Sequence, residues 1–260
     1  MNEFFDRRIL GALRLQDVVT GLALQRHLQL KSERLVIKRN RQGDYVIFGI
    51  LDAPDLQAHT TTFMDAPPVP ALESISIDLL ISDNLGEYLP RQFTLKLPRD
   101  RNPLSLSAII KPVVISLYRA PSARTEPNWA VIRATLTNEA NSQRLPWALV
   151  KVVRNGTTTL AMADWRGEAL IAVPGIPVTT WDAGVGAVLA TEVDVRIDVV
   201  FDSMLQTFPI LDTGQNPNRS YIADPDALSS TAPSLRRGSR TGYKLAASRD
   251  RPDVIAIALS

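Results

Sequence analysis

Very few side chains in this sequence could do chemistry on their own. His27 and His59 are its two histidines, and it has no cysteine. Without a thiol there is no disulfide framework, thiolate metal site or cysteine nucleophile. Neither histidine has a second histidine or a carboxylate at metal-ligand spacing, so both read as surface or hydrogen-bonding side chains, and no metal or other cofactor is expected. Gly238-Ser239-Arg240-Thr241-Gly242 places its serine wrongly for a nucleophile elbow, and Tyr243 separates Gly242 from the Lys244 a phosphate loop would use. Asp17, near Thr20-Gly21, and Asp164, near Arg166-Gly167, stand at strand ends, where an aspartate bonds the backbone of its own turn more readily than it serves catalysis or calcium. Asp194, Asp198 and Asp202, with Arg196 among them, read as a solvated ladder on one strand face. Among the aromatics, Trp129 and Trp147 open strands, whereas Trp165 and Trp181 sit in a turn and a loop. The latter two are candidates either for stacking against a glycan or for packing into a core or an interface. None of this is a catalytic constellation, and the chain reads as non-enzymatic.

The elements that must position these residues are strands. Apolar residues recur with period two or in short β-branched runs, and helical spacing is not sustained anywhere over three turns. The fold class is therefore all-β. Residues 35–39 and 45–50 flank Asn40-Arg41-Gln42-Gly43-Asp44 and predict a hairpin. Residues 74–81 and 92–97 alternate, with Phe93, Leu95 and Leu97 on one face. Further short strands are expected at 113–117, 130–136, 148–153, 158–163 and 169–173, and Glu192 to Val199 alternates almost without a break. Pro98-Arg99-Asp100-Arg101-Asn102-Pro103 reads as a domain junction.

An internal repeat organises these strands. Leu13 to Gly21, two strands and then Gln42-Gly43-Asp44-Tyr45 parallel Ile132 to Leu136, two strands and then Arg166-Gly167-Glu168-Ala169. Gly43 and Gly167 stand about one domain length apart. Each half is expected to close with an alternating strand, Gln92 to Leu97 and Val193 to Phe201. The division is thus residues 1–103 and 104–212 as two β-sandwiches, with 213–260 as an extended arm.

That arm holds the charge surplus. The whole chain has Lys+Arg 29 against Asp+Glu 27, a net +2. In the arm, Arg219, Arg236, Arg237, Arg240, Lys244, Arg249 and Arg251 outnumber Asp224, Asp226, Asp250 and Asp253. Arg236, Arg237, Arg240 and Lys244 are the candidate contacts to an acidic protein partner, and Val254, Ile255 and Ile257 a strand able either to complete another subunit's sheet or to pair with its own domain or fray. Near-neutral sandwiches argue against a nucleic-acid binder. No signal peptide and no apolar run of membrane-spanning length is visible, so cytoplasmic synthesis without direct membrane insertion is expected.

The order strand, Asp or Asn turn, two strands, then Gly-Asp-Tyr or Gly-Glu-Ala resembles carboxypeptidase regulatory-like domains, which have a transthyretin-like β-sandwich. Ala163-Asp164-Trp165-Arg166-Gly167-Glu168-Ala169 looks like that family's turn between core strands. The likeness covers about Phe5 to Phe48 and Trp129 to Val173, and it implies two tandem domains of this type. Leu117-Tyr118-Arg119-Ala120-Pro121, Trp129 to Ala134, Trp147 to Val150, Tyr88-Leu89-Pro90-Arg91-Gln92-Phe93 and Leu97-Pro98-Arg99 resemble proteins of this fold encoded beside sheath, tube and cap components of phage-tail-like contractile injection systems. That resemblance implies a structural subunit, present in multiple copies at a baseplate or terminal collar. Its partners would be other protein subunits, in a particle that acts at a membrane or is released. A carbohydrate-binding or adhesive module using Trp165 and Trp181 is the alternative.

Overall fold

Period-two alternation becomes sixteen strands, with no helix among the described residues. A computed structural model describes residues 9–51, 75–97, 99–100, 102–127, 129–175, 192–204, 207–209, 220–222, 234–246 and 250–260. Two compact units are formed. The first comprises Met1–Gln16, Leu22–Ser82 and Gln92–Ser116; the second comprises Asp17–Gly21, Asp83–Arg91 and Leu117–Ser260.

The first unit is built on β1 (Gly11–Asp17), β2 (Gln29–Lys31), β3 (Leu35–Arg39), β4 (Tyr45–Ile50), β5 (Ile75–Ser82), β6 (Arg91–Leu97) and β7 (Val113–Leu117). Its strands run β3-β4-β1-β7 in one sheet and β6-β5-β2 in the other. Leu13, Leu15 and Ile47 from the first sheet, and Ile77, Leu79, Ile81, Leu95 and Leu97 from the second, are buried as their alternation requires. The expected hairpin forms, with Arg39 opposite Tyr45. In its turn Asn40 Oδ1 accepts the amides of Gln42 and Asp44, both at 2.9 Å, and Gly43 takes the left-handed conformation at φ 94°. Tyr45 then sends its ring inward, and its hydroxyl accepts the Leu28 amide at 2.7 Å and donates to the Leu28 carbonyl at 2.9 Å. Burial of that hydroxyl raises the Tyr45 pKa.

The second unit contains β8 (Ala130–Asn138), β9 (Leu149–Arg154), β10 (Thr157–Met162), β11 (Glu168–Val173), β12 (Glu192–Asp202), β13 (Thr207–Pro209), β14 (Ser220–Ile222), β15 (Leu235–Ala246) and β16 (Asp250–Ile257). One sheet runs β10-β9-β12-β15 and the other β11-β8-β16, while β13 and β14 form a short antiparallel pair. A single core, including Ile132, Leu136, Val150, Ile171, Ile197, Leu245, Ile255 and Ile257, draws on both sheets. β9 and β10 are joined by Asn155-Gly156 at φ 46° and 78°, the two consecutive positive values of a tight hairpin turn.

The repeat extends further than the sequence pattern suggested. β4-β1-β7 and β6-β5-β2 correspond to β11-β8-β16 and β15-β12-β9; the copies differ in that β3 pairs with β4 whereas β10 pairs with β9. Local bonds repeat too: Leu24 N donates to Leu15 O at 2.8 Å and Leu145 N to Leu136 O at 3.0 Å. Three expectations are corrected. Val193 to Phe201, in β12, is the counterpart of β5 and not of Gln92 to Leu97. The boundary at residue 103 does not hold, because β7 lies in the sheet of β1 and the first unit runs to Ser116. The stretch from Leu235 is no extended arm, since β15 and β16 supply the second copy's last two strands. Alternation is faint in β15 because it is an edge strand with a solvated face, burying Tyr243 and Leu245 beside its exposed cations.

Candidate interaction site

The most elaborate polar cluster lies in the second unit and is centred on Asp17, which is 2% exposed at the end of β1. As expected, it supports its own turn: Oδ1 accepts the amides of Val19 at 2.8 Å and Thr20 at 3.0 Å. The pattern did not reveal the other oxygen. Asp17 Oδ2 accepts the Tyr88 hydroxyl at 2.6 Å and Arg119 Nε at 2.8 Å. The Arg119 guanidinium lies 4.6 Å from the Trp129 ring centroid and donates from Nη1 to the Arg124 carbonyl at 2.8 Å. Arg133 holds the same segment by donating to the carbonyls of Pro121 and Ala123. Asp83 folds the segment bearing Tyr88, its Oδ2 accepting the amides of Glu87 at 2.8 Å and Tyr88 at 3.1 Å.

Each Asp17 oxygen accepts two donors, so this carboxylate holds chain segments together. Three segments distant in sequence meet on it. Around them, Leu89, Tyr118, Ala120, Trp147, Leu149, Met162 and Val200 form one apolar cluster, and Ala123, Trp129, Val131, Leu170 and Ala172 another. The matching turn in the second copy is plainer: Asn138 Oδ1 accepts the Ala140 amide at 3.1 Å, and the side chains of Glu139 to Asn141 are not buried.

Asp164 behaves as its spacing predicts. Its Oδ1 accepts the amides of Arg166 at 2.8 Å and Glu168 at 3.0 Å, and Arg166 Nε donates to Oδ2 at 3.0 Å. Gly167 is required there twice over, by φ 78° and by the Leu145 amide, which a Cβ would approach to 3.2 Å. Trp165 packs against the first apolar cluster with the Arg166 guanidinium 5.7 Å from its ring centroid. Trp129 and Trp147 are buried. His27 is exposed with its ring 6.1 Å from that of Tyr45. His59 and Trp181 lie outside the described residues, and among the described residues no acidic, histidine or cysteine group is arranged to hold a metal.

The seven partner candidates divide. Arg236, Arg237, Arg240 and Lys244 are exposed along β15. Lys244 Nζ is 3.9 Å from Glu192, and the Arg240 guanidinium lies 5.6 Å from the Tyr243 ring. An open groove of about 430 Å³ beside Arg237 is lined by Lys151, Asp198, Ser239, Ala258 and Ser260; nothing in the sequence pattern linked Lys151 to it. Val254 is 61% exposed on β16. Of the two readings of the terminal strand, Ile255 and Ile257 follow the one in which it pairs with its own domain. At 0% and 1% exposure they are core residues of this chain's own sheet, with β16 parallel to β8.

The chain matches no protein family, no curated protein and no solved structure.

Proposed function

We propose that the two units are tandem sandwiches of the transthyretin and carboxypeptidase-regulatory type, and that the chain is a non-enzymatic structural subunit of a contractile, phage-tail-like injection particle. In this reading it sits in several copies at the baseplate or a terminal collar and binds neighbouring protein subunits. One observation carries the reading. Residues from three of the phrases that resemble such proteins, Tyr88, Arg119 and Trp129, converge on the Asp17 cluster, so the resemblance falls on a connected piece of architecture. The arrangement of six strands found twice, β4-β1-β7 with β6-β5-β2 and β11-β8-β16 with β15-β12-β9, supports the fold part of the reading. The cations of β15 are where an acidic neighbour would dock. Trp165, packed on its own unit, does not favour the glycan alternative. Reconstruction of the native particle by electron cryomicroscopy should reveal repeated density for this chain; a purified particle that lacks it refutes the assignment.

A further inference from the structure

The two sheets of the second unit end in four edge strands, β10 and β15 in one and β11 and β16 in the other. Three of these edges are guarded. Arg236, Arg237, Arg240 and Lys244 stand exposed along β15, and the Arg237 backbone exchanges bonds with Ser260, its amide donating at 3.2 Å and its carbonyl accepting at 3.0 Å. On β16, Pro252 offers no amide, and Asp253 Oδ1 accepts the Val254 amide at 2.8 Å. On β11, Ala169 to Val173 are all buried.

β10 has none of these devices. Thr157-Thr158-Thr159-Leu160-Ala161-Met162 contains no charge and no proline, and Thr157 and Thr158 are exposed. Among the described residues, no strand pairs over 157–161 on the side away from β9. Native sheets avoid leaving such an edge bare, because its amides and carbonyls are a template for another strand. The first unit shows the usual protection: β3, which follows the second strand of that copy as β10 follows β9, has exposed Lys38 and a bulge between Val36 and Ile37.

The register identifies the outward groups. Ala163 N donates to Ala148 O at 2.9 Å, and β10 stays in step with β9 from Met162 opposite Leu149 to Thr157 opposite Arg154. Alternate residues of an antiparallel pair turn their backbone groups toward the partner. Thr157, Thr159 and Ala161 therefore bond to β9, while Thr158 and Leu160 direct N–H and C=O outward. Just beyond, the bridge from Ala163 to Ala169 engages β11. The open stretch is thus centred on Thr159, and at its other end the turn has only two residues, Asn155 and Gly156.

That stretch is complementary to itself. With Thr159 facing Thr159 in an antiparallel second copy, Thr158 and Leu160 of one strand exchange backbone bonds with Leu160 and Thr158 of the other, and no like charges meet. Leu160, partly buried against the cluster of Leu89, Tyr118 and Trp147, gains cover from the added strand. We propose that β10 is a self-pairing edge, through which two copies of this chain join their β10-β9-β12-β15 sheets into one continuous sheet about a two-fold axis at Thr159. The pairing requires no particle, so this assignment and the particle assignment fail separately.

The test is sedimentation of the full-length chain from about 1 μM to about 1 mM, because so short a pairing buries less than a standard interface and the dimer should exchange with monomer in that range. Amide exchange read by NMR supplies the geometry. Thr158 and Leu160 amides should exchange fast in the dilute chain and slowly in the dimer, whereas the Thr159 amide, held by β9, should be slow in both. Thr158→Pro removes an outward donor without touching the β9 ladder, and the two-fold repeats the loss, so association should weaken at least about tenfold. Thr158→Lys should do the same by placing charge on the edge, and both variants should melt near wild type when dilute. A chain that stays monomeric throughout overturns the proposal, as does a dimer with fast Thr158 and Leu160 amides or one that both variants leave intact. Protection of these amides only on assembly with other proteins, with the chain monomeric alone, also overturns it and gives the edge to a different chain.

Discussion

Ile255→Ala separates a chain that ends in a loose arm from one whose end is part of the core. Ile255 is fully buried, pairs with Leu136 across the β16·β8 ladder and shares a core with Ile132, Ile197 and Leu245. Its truncation removes aliphatic surface from that core and leaves a void that the flanking strands fill only partly. The cost should be about 2 to 5 kcal/mol. Val254, its neighbour, is 61% exposed, so Val254→Ala should stay within about 0.5 kcal/mol. Urea unfolding followed by tryptophan fluorescence suits the comparison, because Trp129, Trp147 and Trp165 all belong to this unit. With a slope of about 2 kcal/mol per molar urea, a 3 kcal/mol loss lowers the midpoint by roughly 1.5 M. If Ile255→Ala proves as silent as Val254→Ala, β16 is not integral to the sheet and does not complete the second copy.

Four other outcomes are expected. Gly238→Ala should destabilise the second unit by about 1 to 3 kcal/mol or more, since a Cβ there would overlap the Ile257 side chain and the Ala258 carbonyl; melting equal to wild type would refute that packing. Gly167→Ala should cost more than Gly156→Ala, although both sit at φ 78°, because only Gly167 has backbone within reach of a Cβ; equal melting temperatures would remove the steric part of the argument. Asp17→Asn leaves Arg119, only 12% exposed, without its carboxylate, and should cost about 3 kcal/mol, against about 1 kcal/mol for breaking the Asp164 pair to the more exposed Arg166; thermal melts of the two single variants compare them. The raised Tyr45 pKa means that stability tied to its neutral hydroxyl is present below the ordinary value of 10.0 and is lost as pH climbs above it. Melting temperature followed across that range should fall in the wild type and fall less in Tyr45→Phe.

The sequence exposed some of this because certain physical constraints are local. Gly43 and Gly167 mark turns that need a left-handed residue, and Asn40 and Asp164 close them through bonds two and four residues away. Alternation located β5, β6 and β12 because each has one face in a core and one in water. The same rule failed for β15, where Arg236 to Gly242 covers an edge and a bulge at Thr241-Gly242, opposite the step from Val195 to Ile197, breaks the register. The Asp17 cluster was hidden for another reason. Its turn bonds join adjacent residues, but its bonds to Tyr88 and Arg119 join residues far apart in sequence, and no spacing rule brings those together. Whether Ile255 and Ile257 belong to this chain's sheet or to another subunit's stayed open because a sequence does not state whose sheet a strand completes.

Duplication helps to localise what is specialised. Where two copies share a strand order, features common to both serve the scaffold, and features present in one are free to serve something else. The turns at Asn40 and Asp164 are common and structural. At the end of the first strand, however, Asp17 collects a phenol and a guanidinium while Asn138 bonds only its own turn. Between the last two strands, 98–112 replaces a three-residue link and displays Leu104, Leu106 and Ile110. In the β15 edge strand, Arg236, Arg237, Arg240 and Lys244 occupy exposed positions of the second copy, whereas its counterpart β6 has Gln92, Thr94 and Lys96 between its inward residues. Charge reversal by Arg236→Glu, Arg237→Glu and Arg240→Glu should therefore reduce incorporation into a particle while leaving the melting temperature near wild type, because these side chains are exposed and the core beneath them is untouched. Loss of incorporation with an unchanged fold is the signature of a docking edge. Unchanged incorporation would mean that these cations serve only to keep the strand edge, which Ser260 covers at Arg237, from pairing further with its own kind, the ordinary use of such residues.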